Sequence, residues 1–274
     1  MTPLLTFEVQ QAMLSAAREG RASIECSLDL DRSQTIVAPA ADHWAWQTQR
    51  FPYVTPCKER TIYYWDGAQF ASASRFTNSL IKLVPTDWGA PTFEIDGIKM
   101  LPTAKVSPYL DAERKVSLIV PRGKNVLDTC GGLGYFAAWC LKGEAASIVS
   151  YEKNPDVVWL RGLNPWSPVV GGALTLTIGD ISSEIEKLAD ASVDAVLHDP
   201  PRFGIAGELY SQQFYNQLAR VLRRRGKLFH YTGTPNKLTS GRDVPNEVAK
   251  RLKQAGFKTA LEGDGVLASK ESGR

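Results

Sequence analysis

The sequence predicts an α/β chain: a small β-rich N-terminal domain, then a parallel β-sheet covered by helices on both faces. Three observations predict it. From residue 125 onwards strand-like and helical patterns alternate. A glycine-rich turn, Cys130-Gly-Gly-Leu-Gly134, joins the first of those strands to the first of those helices. Before residue 102 the patterns are short, aromatic and broken by Asp-Gly pairs, which is a hairpin signature. We place the domains at residues 1–108 and 109–274.

The 274 residues suffice for one large domain or one domain with a small companion. An apolar fraction of 43% and a charged fraction of 22% are ordinary for a soluble globular protein. A net charge of +3 is too small to demand a nucleic-acid or membrane partner. No apolar run approaches a membrane span. The N-terminus lacks the basic-then-apolar layout of a signal peptide. Cys26, Cys57, Cys130 and Cys140 form no C-x-x-C pair, so we expect reduced thiols, a cytoplasmic location and no metal site.

The elements follow in order. Residues 8–19 read as a helix stopped by Gly20. Ala22–Leu30 alternates loosely. Thr61–Trp65 is β-branched and aromatic, with Asp66-Gly67 after it, and Phe93–Leu101 turns at Asp96-Gly97. His43, Trp44, Trp46, Trp65 and Trp88 fall in this region; core packing is the default reading of each tryptophan. Pro102 to Pro108 reads as a linker. The spacing of Tyr109, Leu110, Val116, Leu118 and Ile119 predicts a helix that ends before Pro121 and Gly123. Strands are expected at Asn125–Leu127, Ser147–Tyr151, Leu174–Ile178, Val193–His198, Lys227–Tyr231, Phe257–Leu261 and Gly265–Ala268. Helices are expected at Tyr135–Leu141, Ile181–Leu188, Leu209–Leu222 and Asn246–Ala255. The basic run Arg220, Arg223, Arg224, Arg225 and Lys227 is read as closing the third of these helices, where cations complement the macrodipole.

Ligands on parallel sheets bind at the carboxyl ends of the strands. The chain's polar oddities fall at those ends. Asp128 closes the first strand, and the turn behind it lets backbone N–H groups approach a ligand. Glu152 closes the second, about 20 residues past the turn, where a ribose is gripped by its hydroxyls. Asp180 closes the third. It suits either an exocyclic amine, with Ile181 against the ring, or the N-cap of the next helix. The fourth strand ends in Asp199-Pro200-Pro201-Arg202-Phe203. Two prolines make a rigid frame, suited to holding Asp199 where a nucleophile must be positioned. His198, one residue earlier, faces the other way in an extended strand. The fifth strand ends in His230-Tyr231, either of which suits a base or hydrogen-bonding group, or equally a core residue.

Taken together, these positions resemble the class I S-adenosylmethionine-dependent methyltransferases over roughly residues 110–270. Asp128, Gly132 and Gly134 match the family's first motif, Glu152 its ribose acid, Asp180 its adenine-side acid, and Asp199-Pro200-Pro201 its post-strand motif. Cys130 stands where the family's usual first glycine would be, and Arg202 where amine-methylating members carry an aromatic, with Phe203 one later. The stretches Asp128–Tyr135 and His198–Phe203 look like those of predicted archaeal-type methyltransferases. The resemblance implies a Rossmann-like sheet and S-adenosyl-L-methionine as cofactor.

A sulfonium is also held by aromatic faces, for which Tyr109, Tyr135, Phe203 and Tyr231 are candidates, joined by Trp44, Trp46 or Trp65 if the N-terminal domain closes as a lid. The expected catalytic set is Asp199, Tyr231 and His230. The expected reaction is methyl transfer to a small molecule. One alternative releases methylthioadenosine, by cyclisation to azetidine-2-carboxylate or by aminopropyl transfer; the acidic Gly-Asp-Gly-Gly turn of aminopropyltransferases is missing. Another is an RNA methyltransferase or a non-catalytic adaptor.

Overall fold

A computed structural model describes residues 2–233 and 243–271. The chain forms two compact units: Met1–Asp111 with Trp159–Ser167, and Ala112–Val158 with Pro168–Arg274.

The first unit holds the helix Phe7–Arg18, three small antiparallel sheets, and parts of the helices Pro108–Ile119 and Pro155–Leu163. The helix, Phe7–Arg18, is capped by the Thr6 hydroxyl and buries Gln10, Met13 and Ala16 along one face. Asp96-Gly97 makes a two-residue hairpin between Thr92–Ile95 and Ile98–Lys99, with φ of 49° and 79°. Both residues therefore sit in the left-handed region that such a turn needs. At Asp66-Gly67 the connection is longer, because the strands stop at Trp65 and resume at Phe70. Asp66 holds that loop by accepting the N–H groups of Ala68 and Gln69, each at 2.8 Å. The aromatics are the unit's core. Trp44 is fully buried and stacks on Phe51 at 4.6 Å, and Phe51 and Phe70 both meet the edge of Trp65. Trp46 donates its indole N–H to Thr35 at 2.9 Å.

Trp159–Ser167 joins the first unit, against the expectation of a single boundary near residue 108. The helix Pro155–Leu163, which the sequence reading did not name, carries it there. Trp159 meets Tyr64 edge-on and lies under the Arg75 guanidinium at 3.9 Å. Trp166 donates to the Leu30 carbonyl at 2.8 Å.

The second unit is a seven-stranded sheet with helices. In chain order its strands are Asn125–Asp128, Ser147–Glu152, Leu174–Ile178, Val193–His198, Leu222–Tyr231, Phe257–Glu262 and Gly265–Lys270. In space they run third, second, first, fourth, fifth, seventh, sixth. The first five are parallel, and strand order reverses between the first and the fourth. The seventh runs antiparallel to both neighbours, so the sheet is mixed and not wholly parallel as expected. A tight turn at Gly263-Asp264 makes it a hairpin with the sixth, and a hairpin cannot be parallel.

Two further corrections concern the helices and the basic run. The pattern at Ile181–Leu188 splits into a short helix, Ile181–Glu184, and a 3₁₀ turn, Ile185–Lys187. The helix read at Leu209–Leu222 runs Gln212–Val221 behind a 3₁₀ turn, and the fifth strand starts at Leu222. Arg223, Arg224, Arg225 and Lys227 therefore lie in a strand and do not close a helix. Arg220, in the helix's last turn, donates to the Ile185 and Leu188 carbonyls and pairs with Asp190. Arg223 pairs with Asp194.

Candidate functional site

The switch point between the first and fourth strands carries the glycine turn. Gly132 and Gly134 have φ of 48° and 82°, values that L side chains adopt at a cost. Gly134 is the N-cap of the helix Tyr135–Lys142 and supplies no side-chain cap, so nothing of its own shields the helix's first N–H groups. The turn is anchored by the Gly131 N–H, which donates to the Tyr151 carbonyl at 2.7 Å. Beneath it, Asp128 is buried and accepts the Ser150 hydroxyl at 2.8 Å. Low-dielectric surroundings hold the Cys130 thiol well above its usual pKa, and the carboxylates of Glu152, Asp128 and Asp199 add to that. Cys130 is thus a packed thiol, not a nucleophile.

Glu152 bridges two backbones. One carboxylate oxygen accepts the Gly132 N–H at 3.0 Å and the other accepts the Asn154 N–H at 2.9 Å. Asn154 in turn caps the next helix through the Asp156 N–H at 2.9 Å. Asp180 is the N-cap of its helix, accepting the Ser182 N–H at 2.9 Å, and its other oxygen lies 3.7 Å from Lys153. Partial burial works against its charge, but the Ser182 and Lys153 contacts outweigh that and lower its pKa. Ile181, one residue on, is buried.

The Asp199-Pro200-Pro201 loop is braced from below. Tyr210 donates its hydroxyl to the Pro201 carbonyl at 3.1 Å and packs edge-on against Phe203 at 5.5 Å. Burial, then the Asp199 charge, raises the Tyr210 pKa, so it stays a donor. The Arg202 carbonyl accepts the Ile205 N–H at 2.7 Å, which closes the turn, and the Arg202 side chain is exposed.

His198 and His230 are both fully buried, with ring centroids 4.4 Å apart. His198 Nε2 faces the Leu209 carbonyl at 3.1 Å and must donate to it, which leaves Nδ1 to accept the Thr129 hydroxyl at 2.7 Å. Burial holds its pKa down to about 4. His230 Nδ1 donates to the Tyr231 carbonyl at 2.8 Å, and Nε2 accepts the Tyr215 hydroxyl at 3.0 Å. Burial, then His198, pushes the His230 pKa well below the usual histidine value. Both nitrogens of His230 are occupied within the core, so it is a structural residue and not the base we expected. Tyr231 is half-buried. Tyr109 belongs to the first unit, where it is 8% exposed and packs edge-on against Trp166 at 5.1 Å. Trp44, proposed above as a lid residue, is spent on core packing.

One residue at this rim escaped the sequence reading. Lys115 lies on the helix Pro108–Ile119, in the part belonging to the second unit, and is 1% exposed. Its ammonium sits 3.7 Å from Asp199 and 3.8 Å from the centre of the Tyr231 ring. A signal was present. Tyr109, Asp111, Ala112, Lys115, Val116 and Ile119 are the buried residues of this helix from its second position on, so charges stand on its buried side.

The donor set fits a nucleoside: a carboxylate and a glycine turn joined by a hydrogen bond, an acid with an apolar neighbour on the next strand, and a braced acid across the switch point. Among the described residues no group of His, Cys, Asp and Glu could hold a metal ion, and no helix is long and apolar enough to cross a membrane.

Comparison with known proteins agrees. A family described as S-adenosyl-L-methionine-dependent methyltransferase matches residues 169–263. The uncharacterized protein MJ1233 of Methanocaldococcus jannaschii is 41% identical over 217 residues, covering 77% of this chain and 74% of the relative. A spermidine synthase solved with the transition-state analogue AdoDATO shares the fold at a TM-score of 0.57, 17% identity and 72% of each chain. The spermidine synthase of Thermotoga maritima does so at 0.55, 18% identity, and 76% and 78% of the two chains. The chain belongs to one family with the Methanocaldococcus jannaschii protein, and the family match places it among the S-adenosyl-L-methionine-dependent methyltransferases, with S-adenosyl-L-methionine as cofactor.

Proposed function

We propose that this chain transfers the methyl group of S-adenosyl-L-methionine to a small-molecule nucleophile held at Asp199. The observation that carries the reading is the convergence of Glu152, the glycine turn, Asp180 and Asp199 on the carboxyl ends of four adjacent parallel strands. In this reading Glu152 takes the sugar hydroxyls. Asp128 and Ser150 hold the turn from beneath, while Gly132 and Gly134 keep its backbone open to the ligand. Asp180 accepts from the adenine amine, with Ile181 and Phe203 as apolar neighbours.

When bound, the cofactor supplies a carbon activated by sulfonium. The protein's part is alignment and exclusion of water. Asp199 accepts the hydrogen bond of the acceptor's proton-bearing heteroatom and turns a lone pair towards the reacting carbon. The proline frame and the Tyr210 brace keep it from swinging. Tyr231 contributes its half-buried hydroxyl as a second polar group; His230 supports the strand under it.

The likeness to spermidine synthases supports a second reading, in which methylthioadenosine is released. One feature of this chain speaks against its aminopropyl form: the Gly-Asp-Gly-Gly turn is absent. The test is incubation with S-adenosyl-L-methionine alone and with cell extract, followed by product identification. S-adenosylhomocysteine formed only with extract supports methyl transfer. Methylthioadenosine formed with S-adenosyl-L-methionine alone overturns it.

A further inference from the structure

We propose that Lys115 is the charge-balancing partner of Asp199, a positioning residue that keeps the carboxylate aimed while offsetting its charge at the cofactor's reactive end. The inference rests on the cofactor placement proposed above. It goes beyond that placement because Lys115 belongs to none of the sequence motifs.

Four observations support it. Lys115 is 1% exposed, on the buried side of its helix. A buried ammonium is costly unless paired, so its position has a local cause. Asp199, on a loop more than 80 residues away in sequence, has an oxygen 3.7 Å from it. The ammonium also lies over Tyr231 at 3.8 Å and nearer the edge of reach of Phe136 at 5.7 Å. The two rings and the carboxylate fix where the charge sits. The Tyr231 face that Lys115 covers is therefore taken, and a sulfonium cannot share it.

The pair makes a prediction that a merely structural lysine does not. S-adenosyl-L-methionine is a sulfonium and S-adenosylhomocysteine is the same molecule as an uncharged thioether, so the ratio of their affinities reads the local charge. With both partners present the two charges offset. In Asp199→Asn the Asp199 charge no longer offsets the ammonium, and the sulfonium is weakened relative to the thioether. In Lys115→Met with Asp199→Asn both charges are gone, and the ratio returns towards that of the unmodified protein. Replacing both members of a buried pair by neutral groups of similar volume is commonly tolerated.

The experiment is titration calorimetry of both ligands on the full chain, the Asp199→Asn variant and the double variant, at one pH and salt concentration. The expected result is a fall in the sulfonium preference of about tenfold in Asp199→Asn, and recovery of most of it in the double variant. An equal ratio in all three proteins overturns the proposal, as does a fall that the second substitution does not rescue. Should the double variant fail to fold, Lys115→Met with Asp199 intact serves instead: the sulfonium preference must then rise, and an unchanged or lower preference overturns the proposal. Failure of the unmodified protein to bind either ligand would strike at the cofactor placement itself, which separates that failure from this one.

Discussion

Replacing Glu152 by glutamine changes one oxygen to an NH₂ and removes a charge at nearly constant volume. The carboxylate accepts two backbone N–H groups, from Gly132 at 3.0 Å and Asn154 at 2.9 Å. A glutamine can accept only one of them and turns its own donors towards the other. Hydrogen bonds to charged groups contribute about 1.5–3 kcal/mol, and the half-buried setting of Glu152 argues for the lower end. We therefore expect the ligand-free variant to lose about 1.5 kcal/mol. For a domain of this size that is a fall of about 3–6 °C in Tm by thermal unfolding. A second loss appears on binding. Sugar hydroxyls that donate to a carboxylate find an amide instead, so the affinity for S-adenosyl-L-methionine should fall about tenfold in calorimetry. The two measurements separate two roles. A lower Tm with unchanged affinity would make Glu152 a brace for the turn and refute its contact with the sugar. An unchanged Tm would refute the bridging geometry.

Further outcomes follow from other parts of the molecule. Gly134→Ala places a side chain at φ 82° and should cost about 1–2 kcal/mol of stability, measured by urea unfolding. Trp44→Ala empties the aromatic core of the N-terminal unit and should cost about 3–5 kcal/mol; a loss under about 1 kcal/mol would contradict its burial. His198, with its pKa lowered to about 4, and His230, lowered well below the usual value, bind protons more readily unfolded than folded. Their stabilisation is present above the unfolded pKa near 6.5 and is lost as pH falls towards the folded value, at up to about 1.4 kcal/mol per pH unit for each. Urea midpoints should therefore drop between pH 7 and pH 5, above the carboxylate range, and a flat profile there would refute the buried neutral pair.

The fold and the cofactor were legible in the chain because both are written in local features. Strand-length apolar runs, glycines at left-handed positions and acids directly after strands obey rules that span only a few residues. Most of the strands of the second unit were read to within a residue or two for that reason. The antiparallel seventh strand, the start of the fifth and the return of Trp159–Ser167 to the first unit were not legible, because pairing direction and packing depend on distant partners. The same holds for the site. Glu152, Asp180 and Asp199 announce themselves by position, while His230 looked the same in sequence whether it faced the rim or the core; only its contacts with Tyr215 and Tyr231 decided that it was core. Lys115 carried a hint in its place between Ala112 and Val116 on the helix, but its contact with Asp199 is set by tertiary folding, which alone brings a helix before the sheet against a loop after the fourth strand. Sequence determines which groups are available at the strand ends; the energetic cost of burying an unpaired charge determines which of them must meet.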